Sequence, residues 1–176
     1  MVGTMRWQIR PWTEADTDGL HRLVRESIKE LSAWLPWCDE GYSRRDTEGW
    51  IAHCRTSWAA QAEFPMGVFE AATGEPVGGV GINKIDASAR SANLGYWTGT
   101  PWHGLGIARA AAMQAADFAF LELRIERLDI VIHPQNLPSR RVAEAIGARL
   151  TGIVPQRLAF RGAWVDAAVY ELRRSL

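Results

Sequence analysis

The sequence predicts a mixed α/β domain, and three observations carry that reading. Segments with strand-like alternation or β-branched runs take turns with segments of helical periodicity, in the order βαα, three strands, α, β, α, ββ. A glycine elbow within PWHGLGIARAAAM, Pro101 to Met113, joins a strand to an alanine-rich helix. No repeat, linker or low-complexity stretch divides the 176 residues, so the chain is expected to form one domain, 1–176, with a substantial core.

Arg6 to Arg10 alternates and reads as the first strand. Thr13 is placed to cap a helix that begins at Glu14, carries Leu20, Leu23, Val24, Ile28 and Leu31 at helical spacing, and is ended by Pro36. Ser43 and Asp46 form a capping pair for a second helix, whose apolar stripe is Trp50, Ile51, Cys54 and Trp58. MGVFEAA and VGGVGINKI flank the turn TGEP as hairpin strands, and ANLGYWTG follows the turn DASARS as a third. The elbow at Gly104 opens a long helix to about Glu122. RLDIVIH is a β-branched strand, PQNLPS a turn, and Arg140 to Ile146 a short helix stopped by Gly147. Leu150 to Phe160 and Trp164 to Leu172 read as two final strands joined at Arg161-Gly162.

Composition narrows the function. Formal net charge is +0, which gives no broad field for nucleic acid or an anionic membrane. No apolar run approaches the roughly 18 residues of a membrane span, and MVGTMRWQIRPW lacks a signal-peptide core. Cys38 and Cys54 stand in no partner motif and read as buried or idle thiols of a reducing cytoplasm. No His/Cys cluster has metal-ligand spacing. The chain is expected to be cytoplasmic, a monomer or homodimer, with no metal and no nucleic-acid or membrane partner.

The elbow raises the chemical question. Backbone N–H groups at a helix start have no intrahelical acceptor and sit at the positive end of the helix dipole, and glycine lets a phosphate approach them. A plain glycine turn is the alternative. A P-loop is excluded because no Lys-Ser or Lys-Thr follows the second glycine. A dinucleotide fingerprint is excluded because Arg109 stands where its third small residue belongs.

A third pattern fits. In His103-Gly104-Leu105-Gly106-Ile107-Ala108 the chain resembles the GNAT superfamily of acyl-CoA-dependent N-acetyltransferases. Their pyrophosphate motif is Gln or Arg, two residues, Gly, one residue, then Gly or Ala. His103 departs from its first position. SAWLPW at Ser32 to Trp37, LGYW at Leu94 to Trp97, and NLPSRRVAEAIG at Asn136 to Gly147 resemble the Rim-type branch, named for acetylating N-termini of ribosomal proteins. The similarity runs along almost the whole chain. It implies a mostly antiparallel central sheet, splayed between the fourth and fifth main strands and flanked by helices.

The resemblance also implies roles. His103, Gly104, Leu105, Gly106, Ile107 and Ala108 would bind acetyl-CoA at its pyrophosphate, and backbone groups near Trp97 and Thr98 would bind its pantetheine arm and could stabilise the oxyanion. Asn136 would contact the pantetheine, and Ser139, near the sulfur, is the candidate general acid; both also read as turn and cap residues. Many relatives carry a Tyr seven positions after the Asn, where this chain has Ala143. Two positions that carry carboxylates in relatives fall on Asn93 and Leu158, so the general base is unassigned. Trp34, Trp37 and Tyr42 would rim the acceptor side, or belong to the core. Asp39 and Glu40 could attract a cationic amine, or form a solvated loop. His133 reads as a structural His or a catalytic one. The expected reaction is direct attack of an amine on acetyl-CoA in a ternary complex. Its acceptor is a protein or peptide α-amine or else a small amine, and a non-catalytic acyl-CoA-binding module is the reading outside the enzyme class.

Overall fold

The computed structural model of the protein describes residues 5–174. Strand β1 (Trp7–Pro11) leads into a reciprocal cap. The Thr13 N–H and hydroxyl donate to the Asp16 carboxylate at 2.8 and 2.9 Å, and Arg10 adds two bonds of 2.8 Å to the same group. The capped residues Glu14–Asp16 form a 3₁₀ turn, so helix α1 runs Thr17–Leu31 and does not start at Glu14. Its regular part also stops short of Pro36. Ala33 and Trp34 donate to Glu30 and Leu31, the tighter pattern of a closing turn, and proline disfavours helical backbone in the residue before it. Helix α2 (Arg44–Ala60) starts on the expected cap, the Ser43 N–H and hydroxyl donating to Asp46 at 2.8 and 2.6 Å.

Strands β2 (Phe64–Glu70), β3 (Pro76–Asp86) and β4 (Ser91–Thr98) form an antiparallel meander. Helix α3 (Ile107–Leu121) crosses to β5 (Arg127–Ile132). Helix α4 (Leu137–Ala145) begins earlier than the expected Arg140, because Asn136 caps it and Pro138 suits its first turn. Strands β6 (Arg149–Phe160) and β7 (Ala163–Arg173) form the closing hairpin.

Among the described residues the strands make a seven-stranded sheet ordered β1-β2-β3-β4-β5-β7-β6. The β4–β5 pair alone is parallel, and it is short: Ser91, Ala92 and Asn93 face Arg127, Leu128 and Asp129. Beyond Asn93 the strands part while β5 stays paired with β7 as far as Ile132 and Ala168. The expected splay is therefore present. A parallel connection needs a crossover that starts at the far end of its first strand, so α3 begins beside the wide end of the opening.

Strand alternation sorts the core into two clusters. Phe64, Met66, Val68, Val80, Ile82, Ala92, Leu94 and Leu128 point to the α3 side. There Ala111, Ala112, Ala115, Ala116 and Ala119 let the helix lie close against the sheet. Leu20, Val24, Ile28 and Leu31 of α1 pack with Ile51 and Cys54 of α2, Trp12 and Phe69 in the other cluster. Burying a side chain the size of Leu20 contributes about 1.5–3 kcal/mol, enough for these stripes to fix both helices.

Candidate active site

The splay leaves β4 with a free edge. The Arg90 carbonyl accepts from Glu126 and Arg127 on the β5 side, and the Gly99 N–H donates to the Val77 carbonyl on the β3 side. Trp97 lies opposite Gly79 and Gly95 opposite Gly81 in a regular register. Alternation then turns the backbone groups of Leu94, Tyr96 and Thr98 toward β5, which has already departed, and those of Trp97 toward β3. One group on this edge is taken: His103 Nε2 lies 3.1 Å from the Thr98 carbonyl, a contact in which the ring nitrogen donates. The Thr98 hydroxyl is buried without a partner among the described residues.

The elbow stands at the open end. Gly104 and Gly106 have φ of +78° and +73°, left-handed backbone that glycine adopts freely. Gly106 is the N-cap of α3 and offers no side-chain cap. The next N–H, that of Ala110, bonds to the Gly106 carbonyl, but those of Gly104, Leu105, Gly106, Ile107, Ala108 and Arg109 have no acceptor among the described residues. A Cβ built on either glycine meets nothing within 4 Å, so the space beside the elbow is open. No acidic residue lies in the first turn of α3, and Arg109 is exposed there without an ion-pair partner among the described residues. A run of backbone donors at a helix start with open space beside it is suited to a multiply charged anion, and a pyrophosphate fits it.

Helix α4 faces the opening from the other side. The Ser139 N–H donates to Asn136 Oδ1 at 3.2 Å, which is the N-cap bond. Asn136 Nδ2 and Ser139 Oγ make no hydrogen bond among the described residues, so both retain donors. Tyr96 reaches across from β4, and its hydroxyl donates to the Ser139 carbonyl at 2.8 Å. Burial pushes the Tyr96 phenol up to about 12, so it stays a protonated donor. Nothing in LGYW assigns the Tyr96 side chain a role, and only the splay brings its ring to α4. Arg140 completes the anchoring, donating to the Tyr170 hydroxyl and the Pro134 carbonyl at 2.9 and 3.1 Å.

On the other face of β4 lies a cavity of about 660 Å³ between α2, the α1–α2 connection and strands β2 to β4. Trp37, Tyr42 and Trp97 lie on its wall with ring centroids 6.0 Å apart in the pairs Trp37–Tyr42 and Trp37–Trp97. Trp34 is not on this wall. It packs on His133 at 5.4 Å, which packs on Phe160 at 4.9 Å, joining the α1–α2 connection to the β6–β7 hairpin. Asp39 and Glu40 also lie outside the cavity wall, exposed on the connection, where Asp39 Oδ1 accepts the Gly41 N–H at 2.8 Å.

The polar groups near the cavity limit the base chemistry. Asn93 donates to Asn83 at 3.0 Å, an amide pair at one of the carboxylate-lacking positions, and Leu158 sits opposite Val165 in the hairpin. His133 Nδ1 accepts the Gln135 N–H at 3.2 Å, which occupies its lone pair and puts the neutral ring's proton on Nε2. Burial raises the Cys38 and Cys54 thiols, Cys54 to about 12, which leaves neither poised as a nucleophile. His53 and Glu63, 3.4 Å apart on the cavity rim, were not signalled by any motif. They meet because Gln61, at φ +52°, reverses the chain after α2, and the one local hint is the break in helical pattern there. No cluster of three or more His, Cys, Asp or Glu suited to a metal occurs among the described residues, and no helix there is long and apolar enough to cross a membrane.

Comparison with known proteins bears on this arrangement. The acetyltransferase (GNAT) domain family matches residues 6–149. YdaF of Bacillus subtilis, named as a ribosomal N-acetyltransferase, is 30% identical over 166 residues, covering 93% of this chain and 89% of YdaF. A Vibrio cholerae structure named as a ribosomal-protein-serine acetyltransferase is similar with a TM-score of 0.87 at 30% identity, over 98% of this chain and 97% of that one. Mycobacterium smegmatis RimJ, solved in complex with CoA-disulfide, has a TM-score of 0.85 at 25% identity, over 95% of this chain and 81% of RimJ. With a family match over most of its length and a relative of this identity along nearly all of it, the chain belongs to the GNAT acetyltransferases, as an N-acetyltransferase of the Rim type.

Proposed function

We propose that this N-acetyltransferase uses acetyl-CoA and transfers the acetyl group to a protein or peptide N-terminal α-amine by direct attack in a ternary complex. The run of acceptor-free N–H groups from Gly104 to Arg109, beside the free edge of β4, is the observation that carries the cosubstrate. RimJ, solved with a CoA-disulfide, and relatives named for ribosomal proteins support the same reading. The single-domain reading covers residues 1–176, of which 1–4 and 175–176 lie outside the described residues. A cytoplasmic location accords with a ribosomal-protein acceptor.

The reading gives each residue a role. The Leu105, Gly106, Ile107 and Ala108 N–H groups hold the pyrophosphate, with Gly104 giving clearance and His103 fixing the end of β4 through the Thr98 carbonyl. The outward N–H groups of Tyr96 and Thr98 pair with the pantetheine arm and polarise the thioester carbonyl, while Trp97 turns its indole to the acceptor side. Asn136 Nδ2 donates to the same arm. As the amine nitrogen bonds to the acetyl carbon and the carbon–sulfur bond breaks, the nitrogen releases its surplus proton to solvent, while Ser139 hands its hydroxyl proton to the departing sulfur and recovers one from solvent. Trp37 and Tyr42 receive the acceptor, Trp34 braces that wall through His133, and Asp39 and Glu40 add negative charge on the approach.

The α-amine assignment rests on Asn93 and Leu158. Without a carboxylate at either position the site does little to deprotonate a strongly basic amine. At pH 7 an α-amine is already neutral to about a tenth, and a lysine side chain to about 0.04%. Turnover of acetyl-CoA with a panel of free-N-terminus peptides, N-blocked lysine peptides, polyamines and amino-acid amides tests the reading. Acetylation mapped to the peptide α-amine is expected. Transfer only to small amines, or no transfer at all, would reject it.

A further inference from the structure

The cavity on the acceptor side is hollow because of where glycines stand in three strands. Cross-strand register places Gly67 opposite Gly79, and Gly81 opposite Gly95. The first two are roofed by the protein's own aromatics. A Cβ on Gly79 would lie 2.4 Å from Trp97 Nε1, and one on Gly67 2.4 Å from the Phe69 ring. Gly81 and Gly95 are not roofed. A Cβ on Gly95 meets nothing within 4 Å, and one on Gly81 nothing nearer than the Pro65 backbone at 3.4 Å. Both lie on the cavity wall, so this pair forms a floor of bare backbone directly beside the free edge of β4.

The walls above that floor are largely aromatic and apolar. Trp37 and Trp50 are 48% and 43% exposed, unusually open for tryptophan, and both face the cavity. Each polar side chain nearby makes at least one contact with a neighbour. The Tyr42 hydroxyl accepts from Thr47, the Asp46 carboxylate takes the Ser43 N–H and hydroxyl, and Asn83 accepts from Asn93. His53 and Glu63 face each other at the exposed rim. At the floor, where Gly81 and Gly95 spend their backbone groups on the β3–β4 ladder, a polar side chain would lose water without a side-chain partner, whereas an apolar one would gain by burial. The volume of about 660 Å³ also exceeds what a methyl or hydroxymethyl group would fill.

We infer that this cavity receives the side chain of the acceptor's first residue and selects acceptors that begin with a bulky apolar or aromatic residue. The inference rests on the peptide α-amine reading above. Gly81 and Gly95 are its specificity-determining positions, because any larger residue there would raise the floor.

The test is kcat/KM for a set of short peptides that differ only in the first residue, Ser, Ala, Leu, Phe or Trp, with wild type and with Gly95→Val. Gly95 lies on an extended strand with open space at Cβ, where a β-branched residue suits the backbone. Thermal melting and the milder Gly95→Ala variant guard against a folding defect. Wild type is expected to favour Leu, Phe and Trp over Ser and Ala by roughly 10–200-fold, the range a hydrophobic pocket supplies. Gly95→Val should collapse that ratio by about 10-fold or more, and Gly95→Ala by less. Peptides acetylated without regard to the first residue, a preference for Ser or Ala, or an unchanged ratio in folded Gly95→Val would overturn this inference and leave the α-amine reading standing. No acetylation of any peptide by wild type would reject the α-amine reading, and this inference with it.

Discussion

The hydroxyl of Tyr96 donates to the backbone carbonyl of Ser139 across 2.8 Å, so a side chain of β4 spans the opening in the sheet and fastens the first turn of α4. The two residues are far apart in sequence and lie on opposite sides of the opening. Tyr96→Phe keeps the ring and removes only this bond. It is expected to cost about 0.5–1.5 kcal/mol, a fall in Tm of roughly 2–4 °C per kcal/mol for a chain of this size. If Ser139 acts on the leaving sulfur, kcat should also fall severalfold while the KM for acetyl-CoA holds. Melting curves with steady-state kinetics separate the two effects. A lowered Tm with unchanged kcat would make the bond structural only.

Ser139→Ala removes the free hydroxyl and keeps the cap, because the Asn136 bond uses the Ser139 N–H. A drop in kcat of about 10²-fold or more is expected, with little change in acetyl-CoA affinity by calorimetry. Wild-type kcat would leave Ser139 as a cap residue alone.

Gly106→Val tests the elbow. At φ +73° a β-branched residue is strained, by about 1–3 kcal/mol, and its side chain enters the open space beside the elbow. CoA binding by a folded Gly106→Val protein is expected to weaken at least tenfold by calorimetry. Unchanged affinity would remove the cradle.

On the proposed reading, in which the site supplies no strong base, the acceptor sets the pH profile. For an α-amine peptide, kcat/KM should rise with pH and level off near about 8, the amine's own pKa. The Tyr96 phenol and Cys54 thiol, both held near 12, add no inflection in that range. A plateau already reached near pH 6 would show a base in the site, and His53 and Glu63 would be the first residues to replace.

The Arg10–Asp16–Thr13 cluster carries its own pH signature. Burial works to raise the Asp16 carboxyl, but the Arg10 guanidinium and the Thr13 N–H and hydroxyl outweigh it and hold the group below its ordinary range. Its stabilising contribution is therefore complete above the unfolded carboxyl's pKa near 4 and lost as pH falls through the lower folded value. Asp16→Asn should destabilise by about 1–3 kcal/mol at pH 7, with the gap to wild type closing below pH 4. Denaturant melts at both pH values check this.

Much of this architecture was legible in the residues. The cap at Thr13, the capping pair at Ser43, the β-branched run before His133 and the glycine elbow each announce themselves over a few positions, because caps, strands and turns are local physics. The helix starts at Thr17 and Leu137 were harder. At the first, the residues capped by Thr13 form a 3₁₀ turn before the α-helix begins, and the second depends on Asn136 and Pro138 acting together. The candidate site was legible where it is made of backbone. Its side-chain contacts were not. Tyr96 meets Ser139 only after a strand crossover, His53 meets Glu63 only after a left-handed reversal at Gln61, and the cavity exists only because glycines in neighbouring strands fall into register. Trp34 and Trp37 are two aromatics of one short motif, yet they part company: Trp37 faces the cavity and Trp34 braces the hairpin through His133.

The three-residue seam between β4 and β5 has a consequence for how the molecule comes apart. The meander β2–β3–β4 and the group β5–β7–β6 each hold together through long antiparallel ladders, while the ladder joining them is only Ser91–Asn93 against Arg127–Asp129. Mechanically the sheet is two plates with a narrow hinge, strapped by α3 and by the Tyr96 bond. A molecule wedged in the opening grips both plates and acts as a rivet. Occupancy should then raise the unfolding temperature by mass action and also sharpen the transition, since plates that could loosen separately would have to fail together.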